Sequence, residues 1–201
     1  MQRREFLMQS GITAGVGLTL PSMMIGRSFH APQKVKLGII GVGARGFETL
    51  KLALLRSDVM IVAICDIDEV AAAKASKAVL DAGHAKPKLF TDGNEAYKKM
   101  LDKKELDAVM ICTPWEWHTP MSVASMNAGI AVACEVAGAM SVDECWQLVR
   151  TYEQTRTPFM IMENVCYRRD VMAILNMVRK DMFGEMCLLS FIRNSFLLNL
   201  T

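Results

Sequence analysis

Gly41, Gly43 and Gly46 stand in the stretch GVGARG directly after the apolar run VKLGII, and Asp66 follows twenty residues past the last of them. That spacing suits recognition of a dinucleotide. Gly41 would permit a tight turn, Gly43 would let backbone approach a pyrophosphate, and Gly46 would let a helix and a strand pack closely. The phosphates would rest on the N-terminus of the following helix, where free N–H groups and the helix dipole favour an anion. A carboxylate at position 66 would accept hydrogen bonds from ribose hydroxyls and repel a 2′-phosphate, which favours NAD over NADP. A lone G-x-G-x-x-G is a weak signal; a strand before it, a helix after it and the acid downstream make it specific.

A second concentration of chemistry lies at residues 112 to 120, CTPWEWHTP, in a chain with only three Trp and three His. Trp115, Glu116, Trp117 and His118 follow the end of the apolar run DAVMIC, and ligands of open α/β sheets bind beyond the carboxyl ends of the strands. Two aromatic faces there could wall in the nicotinamide half of a dinucleotide or a sugar ring. His118 would stand at the head of the next helix.

These residues need a scaffold, and the chain supplies one. Apolar runs at 35 to 40, 59 to 65, 107 to 112, 130 to 134 and 158 to 162 alternate with helix-like segments. The runs are apolar throughout, as strands of a parallel sheet covered on both faces are. Ser141 with Glu144 forms a capping box ahead of CWQLVRTYEQT, and Asp170 is placed to cap VMAILNMVRK. The fold class expected is α/β, a doubly wound (Rossmann) parallel sheet. The domain division expected is a signal segment at 1–33, a dinucleotide-binding domain at 34–163, and a linker helix with the start of an α+β substrate domain at 164–201.

Composition narrows the function classes. With 23 basic and 21 acidic residues, a net charge of +2 and 52% hydrophobic residues, the chain has no electrostatic pull toward nucleic acid. Its opening, MQRREFLMQSGITAGVGLTLPSMMIG, carries the pair Arg3 and Arg4, then Phe6 and Leu7, then a Gly-rich, weakly apolar run. That order is the order of a twin-arginine export signal, and the run is too short for a membrane span, so a periplasmic or secreted location is expected. None of the six cysteines forms a C-x-x-C pair or a zinc or haem spacing, and no metal site is expected. Cys65, Cys112 and Cys134 close apolar runs and read as small buried hydrophobes.

The Gly-rich turn after the first strand, T-P after the run DAVMIC and Glu135 after the following run resemble the Gfo/Idh/MocA oxidoreductases. PWEWH at 114–118, EVAGA at 135–139, DECW at 143–146 and above all ENVCYRRDVMAILNMVRK at 163–180 resemble, more narrowly, the NAD-dependent α-N-acetylgalactosaminidases of glycoside hydrolase family 109. The resemblance covers about residues 34 to 185. It implies NAD as a resident catalyst, held by the Gly-rich turn with Ala44 and Arg45, by Asp66, by Trp115 to His118, by Glu135 with Val136, and by Asn164. Tyr167 is a candidate for catalysis and Arg168 for the substrate side; a packed structural ring is the competing reading of Tyr167. The chemistry implied is hydrolysis of a terminal N-acetylgalactosaminide by transient oxidation at C3, elimination of the aglycone, addition of water and return of the hydride.

Many dehydrogenases of the wider family carry Glu-Lys-Pro where this chain has Glu135-Val136-Ala137, and valine cannot move a proton. The glycosidase subgroup is therefore favoured, with a sugar oxidoreductase or a non-catalytic NAD-binding remnant as the alternative. The segment MCLLSFIRNSFLLNLT at 186–201 does not continue the resemblance, so a truncated and inactive product is expected. The partner expected is a small carbohydrate, and assembly into a homo-oligomer is left open.

Overall fold

The computed structural model describes residues 34–102 and 105–184. The segments 1–33 and 185–201, with the export signal and the unaligned stretch expected in them, lie outside the described residues. Six parallel strands form one sheet: β1 (Val35–Ile40), β2 (Val59–Cys65), β3 (Lys88–Phe90), β4 (Ala108–Ile111), β5 (Ala131–Cys134) and β6 (Phe159–Ile161). Their spatial order is β3-β2-β1-β4-β5-β6, in which the chain winds outward from β1 in both directions. Helices α1 (Ala44–Leu54), α2 (Glu69–Asp81), α3 (Ala96–Leu101), α4 (His118–Asn127), α5 (Val142–Thr155) and α6 (Arg169–Arg179) make the connections and the last segment.

The continuous apolar character of the strands follows from burial on both faces. Along β1, Leu37 and Ile39 enter a core with Leu50, Ala53, Ala72, Ala75 and Val79 of α1 and α2, while Ile40 enters a second core with Met100, Ile111, Met121 and Met126. Small residues set the approach of α2: Ala72, Ala75 and Val79 repeat at helical spacing and are completely buried. Asp68 caps that helix, its carboxylate accepting from the N–H groups of Val70 at 2.8 Å and Ala71 at 3.3 Å.

Two features differ from the sequence expectation. β3 is a strand of three residues at the sheet edge, too short and too polar in KLF to announce itself by periodicity. Asp170 does not cap α6; the helix begins at Arg169, two residues before the expected start at Val171, and Asp170 lies in its first turn paired with Arg168 at 2.9 Å. At α5, Ser141 Oγ accepts from the N–H of Glu144 at 3.2 Å as expected, while Glu144 Oε2 reaches past the cap to the N–H of Met140 at 2.6 Å.

Strand register decides where the loops emerge. Ile40 aligns with Cys65 on one side and with Ile111 on the other, and Ile111 aligns with Cys134. The residues that follow these strand ends, Gly41, Asp66, Cys112 and Glu135, therefore leave the sheet side by side at its carboxyl edge.

Candidate functional site

A cavity of about 290 Å³ opens at that edge, lined by Gly41, Gly43, Asp66, Ile67, Asn94 and Trp117 among others. The glycines explain its floor. Gly41 has φ +85°, and a Cβ there would stand 2.8 Å from the backbone carbonyl of Cys112, so both conformation and space exclude a side chain. A Cβ on Gly46 would run into the carbonyl oxygen of Gly41, because α1 starts tight against the turn. Gly43 is different. It lines the cavity, its φ of −62° suits any residue, and a Cβ on it would meet nothing within 4 Å. Nothing in the protein needs glycine there, whereas a ligand backbone laid against the turn does.

The same turn presents unsatisfied donors. α1 begins with Gly43 as its cap residue, with no side-chain cap and no acidic residue in its first turn, so its leading N–H groups face the cavity edge uncompensated. Opposite them, Asp66 is held by two backbone donors, Val42 N–H at 2.6 Å to Oδ2 and Asp68 N–H at 2.9 Å to Oδ1. A carboxylate fixed in this way between the turn and the end of β2 presents acceptor capacity to ribose hydroxyls without reorganising. The donor-rich turn, the open space over Gly43 and the fixed carboxylate are the complement of a dinucleotide, and NAD fits these residues.

Residues 115 to 117 form a single turn of 3₁₀ helix that leads directly into α4. Trp117 is half-buried, rests on the core and lines the cavity; Trp115 and Glu116 are exposed beside it. His118 opens α4 and is completely buried, with Nδ1 2.7 Å from the Ala137 carbonyl oxygen and Nε2 2.8 Å from that of Thr113. A neutral imidazole donates only one of these bonds. The ring thus ties the loop after β4 to the loop after β5, and its side chain is not part of the cavity lining.

At the end of β5, Glu135 is buried and its Oε1 receives Nε–H of Arg45, the second residue of α1, at 2.6 Å. Val136 is part-exposed and joined to Ala137 by a cis peptide. Ala44 is exposed in the first turn of α1. Asn164, Tyr167 and Arg168 lie beyond β6, all exposed; Tyr167 is 76% accessible and thus neither a packed ring nor a cavity wall, and Arg168 is occupied with Asp170. The structure therefore gathers Gly41, Gly43, Asp66 and Trp117 around one cavity, sets Arg45 and Glu135 next to it, and leaves Asn164, Tyr167 and Arg168 outside its lining.

Sequence reasoning missed Ile67, Gly93 and Asn94 as lining residues. The last two belong to the turn TDGN after β3, and its turn chemistry was the available signal once KLF is read as a strand. Two thiols also face the cavity. Burial pushes Cys65 up to about 12, helped by the charge of Asp66; burial also pushes Cys112 up to about 12, with Glu135 raising it further and Thr49 and Arg45 opposing. Both are protonated and inert at neutral pH.

Known proteins place this arrangement. The model of an oxidoreductase family with an NAD-binding Rossmann fold, Gfo/Idh/MocA, matches residues 35–162. A glycosyl hydrolase family 109 protein of Stenotrophomonas maltophilia is 43% identical over 190 residues, which cover 92% of this chain and 40% of that one. An α-N-acetylgalactosaminidase of Tannerella forsythia is 46% identical over 153 residues, 76% of this chain and 33% of that one. Among solved structures, the scyllo-inositol dehydrogenase of Lactobacillus casei with bound NAD(H) and scyllo-inositol shares the fold, with a TM-score of 0.67 at 18% identity over 76% of this chain and 43% of that one. The chain thus spans well under half the length of these curated relatives. With more than half of its length matched to the family model and its Gly-rich turn, Asp66 and cavity where a dinucleotide would need them, the chain belongs to the Gfo/Idh/MocA oxidoreductase family and carries its NAD-binding Rossmann fold.

Proposed function

We propose that this chain is the cofactor-holding part of a glycosidase of the α-N-acetylgalactosaminidase type, acting on a terminal N-acetylgalactosaminide. The observation that carries the reading is the chemistry of the loop after β5: Val136 follows Glu135 and offers no proton-carrying group. A plain dehydrogenase of a sugar alcohol needs an acid–base residue at the reacting carbon. The identity of 43% and 46% to proteins named as glycosyl hydrolase family 109 and α-N-acetylgalactosaminidase points the same way. NAD, when bound, supplies a reversible hydride acceptor.

The chain's own residues have distinct tasks in this reading. Gly43 and the leading N–H groups of α1 receive the diphosphate, Asp66 fixes a ribose and rejects a 2′-phosphate, and Trp117 excludes water from one wall of the cavity. Among the described residues lining the cavity, both thiols stay protonated and Asp66 is given to the ribose in this reading, which leaves none of them to act as a base on the sugar. We therefore expect the 201-residue chain to bind NAD without releasing aglycone. Residues 1–33 support a further part of the proposal, export of the folded, cofactor-loaded protein by the twin-arginine route.

The alternative is a sugar oxidoreductase or a non-catalytic NAD-binding remnant; solved structures that share this fold are named as inositol dehydrogenases. The two readings separate in a chain extended with the C-terminal part of a family 109 relative. The glycosidase reading predicts release of nitrophenol from a nitrophenyl α-N-acetylgalactosaminide with no net NADH. Net NADH formed from inositol or a free sugar, without aglycone release, would establish the oxidoreductase.

A further inference from the structure

The pair Arg45 and Glu135 joins two loops that the sheet register sets apart: one residue is in the first turn of α1 and the other ends β5, two strands away. Glu135 is 7% exposed and Arg45 is largely open, so the carboxylate is the buried member of the pair and the guanidinium the exposed one. Glu135 is fixed by its own backbone, its N–H donating to the Ile111 carbonyl at 2.9 Å, and Oε2 lies 3.2 Å from the N–H of Val136. Only Nε of the guanidinium is engaged, at 2.6 Å. Its two terminal amino groups make no hydrogen bond among the described residues, and they belong to a residue two positions from Gly43, where the cavity floor is open.

An arginine that only neutralised a buried acid would gain most by a two-pronged grip on it. Spending the Nε edge alone leaves the outer edge of the fork for a second anion. Resting on the NAD-binding reading, we propose that Glu135 is a positioning residue that aims the free edge of Arg45 at the diphosphate of the dinucleotide. Arg45 makes the phosphate contact, and Glu135 acts through it. A free guanidinium on a flexible stem would lose side-chain entropy on each binding event; one already held by a buried carboxylate loses less.

Binding of ADP and of adenosine to the full chain, followed by titration calorimetry, tests this with Arg45→Ala, Glu135→Ala, the double variant and Arg45→Lys. The proposal expects Glu135→Ala to weaken ADP about fivefold in the parent and by less than about twofold in the Arg45→Ala background, since interacting residues are non-additive. Adenosine, which lacks phosphate, is expected to change by less than about twofold in every variant. Arg45→Lys keeps the charge but not the fork, and is expected to lose the dependence on Glu135. Equal losses for ADP and adenosine, or the same ADP loss with and without Arg45, would overturn the proposal and leave a structural ion pair. An ADP affinity indifferent to Glu135 would overturn it as well, while leaving the cofactor site standing. A parent chain that binds neither NAD nor ADP would remove the cofactor reading and the proposal together. Because Arg45 is exposed, Arg45→Lys is expected to fold even where Glu135→Ala does not, and coupling through the fork is then read from Glu135→Gln made in the parent and in the Arg45→Lys variant.

Discussion

Gly43 is the residue at which the protein's own needs and the ligand's needs come apart. Gly41 and Gly46 are dictated by the fold, one by its positive φ and the backbone of Cys112, the other by the carbonyl of Gly41. Gly43 is dictated by neither. Gly46→Ala is therefore expected to destabilise the chain to the point of poor folding, since relief needs backbone movement in a packed turn. Gly43→Ala is expected to leave the melting temperature within about 2 °C, in keeping with small effects at unstrained surface positions, while NAD binding falls severely. Thermal melting and cofactor titration on the two variants check both outcomes. A Gly43→Ala protein that binds NAD normally would mean that the turn does not approach the diphosphate closely. At this scale the sequence was most legible where spacing encodes geometry: Gly41, Gly43 and Asp66 line one cavity, and Gly46 packs against the carbonyl of Gly41. It was least legible for His118, whose rarity and position suggested a ligand contact, while its buried ring lies with both nitrogens within 2.8 Å of the carbonyls of Thr113 and Ala137 and outside the cavity lining.

Among the elements, β1 bears the largest share of the order. It is the central strand, pairing with β2 and β4, and its side chains alternate between two cores, so its loss would unseat both layers of helices. Ile39 is completely buried between β1 and the α1–α2 layer. Truncation at Ile39→Ala removes transfer energy and leaves a cavity, for an expected cost of about 2–5 kcal/mol, measured as a shift of the urea midpoint with the slope unchanged. A loss under about 1 kcal/mol would show that the two-core description misplaces this strand. The runs that form β1, β2, β4 and β5 were readable because burial in the sheet keeps polar residues out of them, whereas β6, an edge strand of three residues with Met160 and Ile161 exposed, was readable from its apolar residues alone. β3 was not, because an edge strand of three residues carries Lys88 and Leu89 exposed and needs only backbone pairing with β2 to exist. The start of α6 lies two residues before the expected one because Asp170, a good cap by type, pairs with Arg168 inside the first turn.

For the whole molecule, the described sheet and helices form an NAD-binding Rossmann fold, and the proposed glycosidase reading leaves any chemistry on a sugar to residues other than those lining the cavity. Among the described residues no helix is long and apolar enough to cross a membrane. The proposed export route makes its own prediction: residues 1–33 fused to a reporter that is active only when exported folded should give a periplasmic signal, lost on replacing Arg3 and Arg4 by Lys. A signal that survives the double replacement would point to another route. The division of labour between cavity and substrate chemistry depends on one claim, that Asp66 and the Gly-rich turn hold NAD and refuse a 2′-phosphate. Titration of the 201-residue chain with NAD and NADP, read by Trp fluorescence with Trp117 in the cavity wall, tests that claim most directly. Binding of NAD is expected to saturate and to be at least about tenfold tighter than that of NADP, a difference of ~1.4 kcal/mol, with the preference narrowed in Asp66→Asn. Equal affinity for the two cofactors, or no binding of either, would contradict it.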